Sequence, residues 1–174
     1  MVSTHHIAQL NIALAKAPLE DPLLADFMAQ LDAVNAMAEA SPGFVWRLKS
    51  DSGNATDIRA YDDPRMIVNM SVWESIDALF AFTYKTAHTK VMNRRKEWFE
   101  PLPGPHLVLW WVTAGTVLTV AEAQRRLKHL AEHGPSAEAF TFKMRFAPPT
   151  ETNVGAAPRG RPAEGRPHEV APTQ

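Results

Sequence analysis

The chain contains no cysteine. Disulfides, thiolate nucleophiles, iron–sulfur clusters and cysteine-based zinc sites are thereby excluded together, and a reducing cytoplasm is the expected location. No run approaches the ~18 apolar residues that a membrane-spanning helix needs. The opening MVSTHHIAQLNIAL lacks both the basic start and the long apolar core of a signal peptide. Neither sign of charge is in excess, with 18 Lys+Arg against 19 Asp+Glu and a formal net charge of -1. Such a chain exerts no general pull on polyanions, so neither nucleic acid nor a membrane is expected as a partner. The phosphate-cradling G-x-G-x-x-G and P-loop patterns are missing, as is the G-x-S-x-G of a nucleophile elbow. No recognised metal spacing is formed by His5-His6, by His106 at a strand edge, or by the loop DSGNATD. His129 and His133, four apart on a helix that reads as exposed, support a metal site only weakly. What remains is the composition of an ordinary soluble domain: 174 residues, 45% hydrophobic and 21% charged.

From Ala147 to Gln174 the chain holds six prolines, three glycines and no aromatic residue. Too little apolar area is available there to offset the entropy of ordering, which predicts a disordered tail over 147–174 behind a single domain over 1–146. Within the domain the periodicity alternates. Residues 7–15 read as a strand with Ala8, Leu10, Ile12 and Leu14 on one face and Gln9 and Asn11 on the other. Asp21 and Pro22 open a helix that Ser41-Pro42-Gly43 closes. Strands follow at 44–50 and 67–74, separated by a polar loop. Ser75 caps a helix through Phe82, and a second helical piece runs from His88 to Phe99. LVLWWVT, 107–113, reads as a central strand. Thr119 or the residues beside it start a helix that ends at Gly134-Pro135, and 140–146 reads as a last strand. The order β-α-β-β-α-α-β-α-β predicts an α+β, ferredoxin-like antiparallel sheet with helices on one face. Such a sheet leaves its other face open for a second copy, which makes a homodimer the expected assembly.

The helical piece KTAHTKVMNRRKEWFE carries the most chemistry. At the helical increment, Val91, Met92, Trp98 and Phe99 share an arc of about 160°, while Lys85, Lys90, Lys96, Glu97 and Glu100 fall opposite. His88 and Arg95 lie within the apolar arc and Arg94 at its edge. Because a guanidinium cannot shed its proton, Arg95 must meet a buried carboxylate, backbone carbonyls or an anionic ligand. Glu74, Asp57, Asp62 and Asp63 are the internal candidates. On the strands, Gln9 pairs in face with Asn11, and Asn69 with Ser71 and Trp73. If both faces look toward the helices, Asn11, Asn69, Trp73, His88 and Arg95 line one cavity. Most of the five tryptophans are expected in the core.

Taken together, IAQLN (7–11), PGFVWRL (42–48), VNMSVWES (68–75), TAH and NRRKEWF within 86–99, HLVLWWV (106–112) and HGPSAEAFTF (133–142) resemble the family called domain of unknown function 3291. That family sits in the dimeric α/β-barrel superfamily beside the antibiotic-biosynthesis monooxygenases. The resemblance implies a ferredoxin-like dimeric α/β barrel acting on a small molecule. Cofactor-independent monooxygenases of the superfamily oxidise electron-rich phenols, haem-binding relatives hold iron through a helix histidine, and others cyclise polyketide-like substrates. Asn11, Trp73 and His88 resemble the Asn-Trp-His set of the haem-degrading branch. A neutral His88 would suit iron, and Arg94 or Arg95 a haem propionate. Haem is therefore the leading cofactor expected.

Three readings follow. The first is a monooxygenase-like oxidoreductase acting on a planar aromatic or polyketide-like substrate. In it Gln9, Asn11, Asn69, Ser71, Trp73, Arg94 and Trp98 bind the substrate, His88 serves as base or iron ligand, and Arg95 stabilises a phenolate. The second is a non-redox cyclase or isomerase using the same His88. The third is a non-catalytic, dimeric ligand-binding protein.

Overall fold

The structure, a computed structural model, describes residues 4–86 and 88–150. The expected disordered tail lies outside the described residues from 151 onward. Its middle is one long strand, β1 (His5–Ala15), whose alternating small and branched residues pack on both faces. β3 (Met66–Trp73) runs antiparallel along one side of β1, in register from Ile7 opposite Trp73 to Leu14 opposite Met66. The other side is shared by two strands. β5 (Leu107–Thr113) pairs from His5 opposite Thr113 to Asn11 opposite Leu107, and the two-residue β4 (Phe99–Glu100) pairs with Leu14 and Ala15. β2 (Phe44–Arg47) closes the far edge against β3, with an irregularity between Phe44 and Trp46. The resulting order, β2-β3-β1 and then β4 with β5, is the antiparallel ferredoxin-like arrangement, an α+β fold.

Local chemistry sets the helix starts. The Asp21 carboxylate accepts from Leu23 N at 2.9 Å and opens a short 3-10 turn that leads into α1 (Ala25–Glu39). Ser75 caps α2 (Ile76–Lys85) by accepting from Ala78 N at 3.1 Å. Thr119 caps α5 (Val120–His133) by accepting from Glu122 N at 3.2 Å. Between α2 and β4 lie two short helices, α3 (His88–Asn93) and α4 (Arg95–Trp98). The single helical piece expected over 88–99 is therefore broken at Arg94. Phe99 and Glu100 are drawn into pairing with β1, and Pro101 holds the residue before it extended.

Parity assigns the two faces. Odd-numbered residues of β1, β3 and β5 look toward α1–α4, where Ile7, Trp73 and Leu109 pack with Ala38, Ile76 and Leu79, and Ala15 packs with Phe27 and Trp98. Even-numbered residues form the larger core. Ala8, Leu10, Ile12, Val68, Met70, Val72, Val108, Trp110 and Val112 meet Ala123, Leu127 and Leu130 of α5 and the loop residues Ile58, Ala60 and Tyr61. The ferredoxin-like helices thus share one face as expected, and α5 is an addition that takes the other. The open face on which the homodimer was argued is absent, because Leu10, Met70 and Trp110 are at most 1% exposed within this one chain.

The last expected strand also differs. Over 140–146 only Phe140 bridges β5, exchanging backbone bonds with Leu109 at 2.8 and 2.9 Å. The chain then turns at Thr141–Met144. Turning places Phe140, Phe142 and Phe146 together in the odd-face cluster, so the apolar alternation is satisfied without a ladder.

Candidate functional site

Between the odd face of the sheet and α1–α4 lies a cavity of about 300 Å³. Its floor follows from strand register, which sets Gln9 opposite Ser71 and Asn11 opposite Asn69. Gln9 Nε2 donates to Asn69 Oδ1 at 2.9 Å and to Ser71 Oγ at 3.0 Å, and Trp73 Nε1 donates to the same Oγ at 2.9 Å. Four of the expected substrate-binding residues are therefore one hydrogen-bonded unit. The Asn11 amide and the Asn69 Nδ2 make no hydrogen bond among the described residues and remain available to a ligand.

One end of the cavity is aromatic. Phe44 meets Trp73 edge-on at 5.3 Å, Trp73 stacks on Phe82 at 5.1 Å, and Phe82 stacks on His88 at 5.0 Å with rings 7° apart. His88 Nδ1 is buried without a hydrogen-bond partner, and burial pushes its pKa below the ordinary 6.5. His88 is thus a neutral ring held flat in a stack. Phe27, Trp98 and Phe99 build the opposite end.

At the β1–β5 side Arg95 enters the cavity as expected, but none of Glu74, Asp57, Asp62 and Asp63 meets it. Asp57 takes hydrogen bonds from Ser50, and Asp63 pairs with Arg65. No ion pair involves Arg95 among the described residues. Its Nη1 lies 3.2 Å from Nε2 of His106. A guanidinium only donates, so Nε2 is the acceptor and the ring proton of neutral His106 sits on Nδ1. Burial, and then the Arg95 charge, push the His106 pKa below 6.5.

Arg94 is not part of the cavity wall. The break between α3 and α4 turns it to the surface, where it pairs with Glu97 at 2.7 Å and Asp26 at 3.1 Å and lies 4.8 Å over the Trp98 ring. The other expected residues, Gln9, Asn11, Asn69, Ser71, Trp73, His88, Arg95 and Trp98, all line the cavity. Sequence reasoning missed His106, which it left at a strand edge, and Arg47, a lining residue paired with Glu39 at 2.8 Å. The one signal for His106 is register: it immediately precedes β5, and its carbonyl accepts from Ile12 N at 2.9 Å. Over the mouth, Asn54 clasps α1, accepting from Asn35 at 2.6 Å and donating to Asp32 at 3.2 Å.

These residues do not fit a haem. An iron-ligating histidine donates its second ring N–H to a carboxylate, carbonyl or water. His88 Nδ1 has no partner among the described residues. Arg94, offered for a propionate, is occupied at the surface. Among the described residues no three His, Asp or Glu side chains gather to hold a metal ion.

No curated protein matches the chain. Among solved structures it is similar to SnoaB, a cofactor-independent oxygenase from Streptomyces nogalater, at 17% identity over 67% of this chain and 98% of that one, with a TM-score of 0.40. It is similar to PA3566 from Pseudomonas aeruginosa at 14% identity, over 67% and 99% of the two chains, with a TM-score of 0.43. Rv0793 from Mycobacterium tuberculosis gives 14% identity, 66% and 99% coverage and a TM-score of 0.42. At the level of family the match spans residues 6–156, the whole sheet, the cavity and α5 included, and the chain belongs to the family described as Domain of unknown function (DUF3291).

Proposed function

We propose that the chain is a monooxygenase-like oxidoreductase that takes a planar aromatic molecule bearing an acidic hydroxyl or carboxyl group into this cavity, without haem. The observation that carries the reading is Arg95, a permanent cation inside the cavity whose sole side-chain partner among the described residues is a neutral imidazole. A protein gains nothing in stability from such a group, and an anionic ligand oxygen would complete it with a charge-assisted hydrogen bond. The aromatic walls accept a flat ring system, and Asn11 and Asn69 supply donors and acceptors for its oxygens. Ionising such a substrate raises its electron density, which favours attack on dioxygen. In that reaction a ring CH2 becomes C=O, one oxygen atom enters the product, and the other leaves as water with the two hydrogens.

The test is oxygen consumption with dithranol, a hydroxylated anthrone, together with tryptophan-fluorescence titration of the same compound. Uptake that the protein accelerates and Arg95→Met abolishes is expected. Saturable binding without oxygen uptake would favour the non-redox or ligand-binding readings. No binding by dithranol or other planar phenols would overturn the proposal.

A further inference from the structure

We propose that His106 and Arg95 form a proton-accepting anion receptor, in which His106 is the base that ionises the acidic hydroxyl of the bound molecule and Arg95 receives the oxygen. The inference rests on the cavity taking a planar acidic aromatic, and it places the base outside the helix that carries His88.

Geometry separates the two imidazoles of the cavity. His88 lies flat on Phe82 with its Nδ1 buried, and among the described residues no donor sets its tautomer. His106 is half-buried and lines the cavity, with its Nε2 lone pair directed at Arg95. That lone pair is the proton acceptor, kept in the correct tautomer by a donor that can do nothing but donate. When a hydroxyl enters between the two side chains, its O–H bond breaks and the proton passes to Nε2. The phenolate oxygen takes over the Arg95 Nη1 hydrogen bond that Nε2 has released. Charge balances, since one neutral ligand and one neutral imidazole become an anion between an imidazolium and a guanidinium. No oxidant or further reactant is required for this step.

The surroundings leave this chemistry to the pair. Arg95, from α4, is the charged group that acts on His106. The β1 residues that its segment meets, Asn11 and Ile12, are uncharged, as is its own segment 101–105, PLPGP. Nearby carboxylates that would otherwise hold an imidazolium are thus missing from those elements, and the ring stays neutral until a bound hydroxyl gives up its proton.

The experiment uses alizarin, a planar tricyclic phenol whose colour changes on ionisation, with the full chain below the pH at which free alizarin ionises. Wild-type protein is expected to bind it as the coloured phenolate without net proton release, because the proton stays on His106. Calorimetry in buffers of different ionisation enthalpy reads that proton count. His106→Gln, which keeps an acceptor near Arg95 but no base, should still bind the dye with the bound phenolate fraction down about tenfold, one pKa unit. His106→Ala should regain the colour when imidazole is added. Phenolate formation in His106→Gln equal to wild type, or one proton released per dye bound by wild type, would show that Arg95 acts alone and overturn the inference. Binding of the neutral dye by wild type would overturn it too, while leaving the aromatic cavity standing. Absence of any binding would overturn both.

Discussion

Ser71→Ala probes the floor of the cavity through one oxygen atom. Ser71 Oγ accepts from Gln9 Nε2 at 3.0 Å and from Trp73 Nε1 at 2.9 Å, among side chains that are all buried. Removing the oxygen affects the two donors unequally. Gln9 Nε2 keeps its 2.9 Å bond to Asn69, so its loss is small. Trp73 Nε1 has no second partner among the described residues and sits in a side chain that is 0% exposed. An orphaned buried donor costs about 1–3 kcal/mol, and about 2 kcal/mol is expected for the substitution as a whole. In a chain of this size that lowers Tm by roughly 4–8 °C. Urea denaturation of wild type, Ser71→Ala, Trp73→Phe and the double variant gives the measurement. In the Trp73→Phe background, where the donor is already gone, Ser71→Ala should cost less than about 0.5 kcal/mol. The same cost in both backgrounds would refute the reasoning, since the oxygen would then matter for something other than the indole.

Three further outcomes are expected. Arg95→Met should change stability by less than about 1 kcal/mol, because no ion pair is lost, whereas breaking a buried pair costs 3–5 kcal/mol; NMR titration of the same variant should move His106 back up toward its ordinary pKa. Stability should fall as pH drops below about 6.5, since unfolding lets His88 and His106 take up protons that their buried, depressed-pKa rings refuse in the fold. It is fully present above that value, and His88→Phe should flatten the slope in urea titrations between pH 7 and 5. Gly43→Ala should lower Tm by several degrees, because Gly43 has φ +78° and an added Cβ would lie 2.7 Å from Cβ of Ala78; the strain of that conformation alone is about 1–2 kcal/mol.

Strand parity was the most legible part of the sequence. The alternation puts Gln9 and Asn11 on one face of β1, and Asn69, Ser71 and Trp73 on one face of β3, because a period of two admits no other arrangement within a strand; that the two faces coincide is a matter of register. Caps at Asp21, Ser75 and Thr119 were equally readable, each a side-chain oxygen placed before an apolar run. Residues 88–99 were legible only in part. A uniform 100° step set Arg94 at the edge of the apolar arc, but α3 ends at Asn93 and α4 begins at Arg95, and the break between them leaves Arg94 paired at the surface. His106 was legible only as a residue at a strand edge, since its place in the cavity depends on which strand lies beside β5, a non-local fact. The segment 140–146 had the alternation of a strand, yet three phenylalanines reach the same cluster through turns. The placement of α5 was likewise invisible, for an amphipathic helix does not announce which face of a sheet it will cover.

With α5 fastened to the even-numbered side chains, the two parities of one strand serve separate masters. Leu10 and Met70 answer to the helix behind them, while their neighbours Gln9, Asn11, Asn69 and Ser71 answer to whatever fills the cavity. The side chains of the two sets meet different partners, so a change in one acts on the other mainly through the shared backbone. Inherited change can therefore retune the ligand at alternate positions while the fold is conserved at the residues between them. A chain built this way is well suited to diversify its chemistry without first losing its shape.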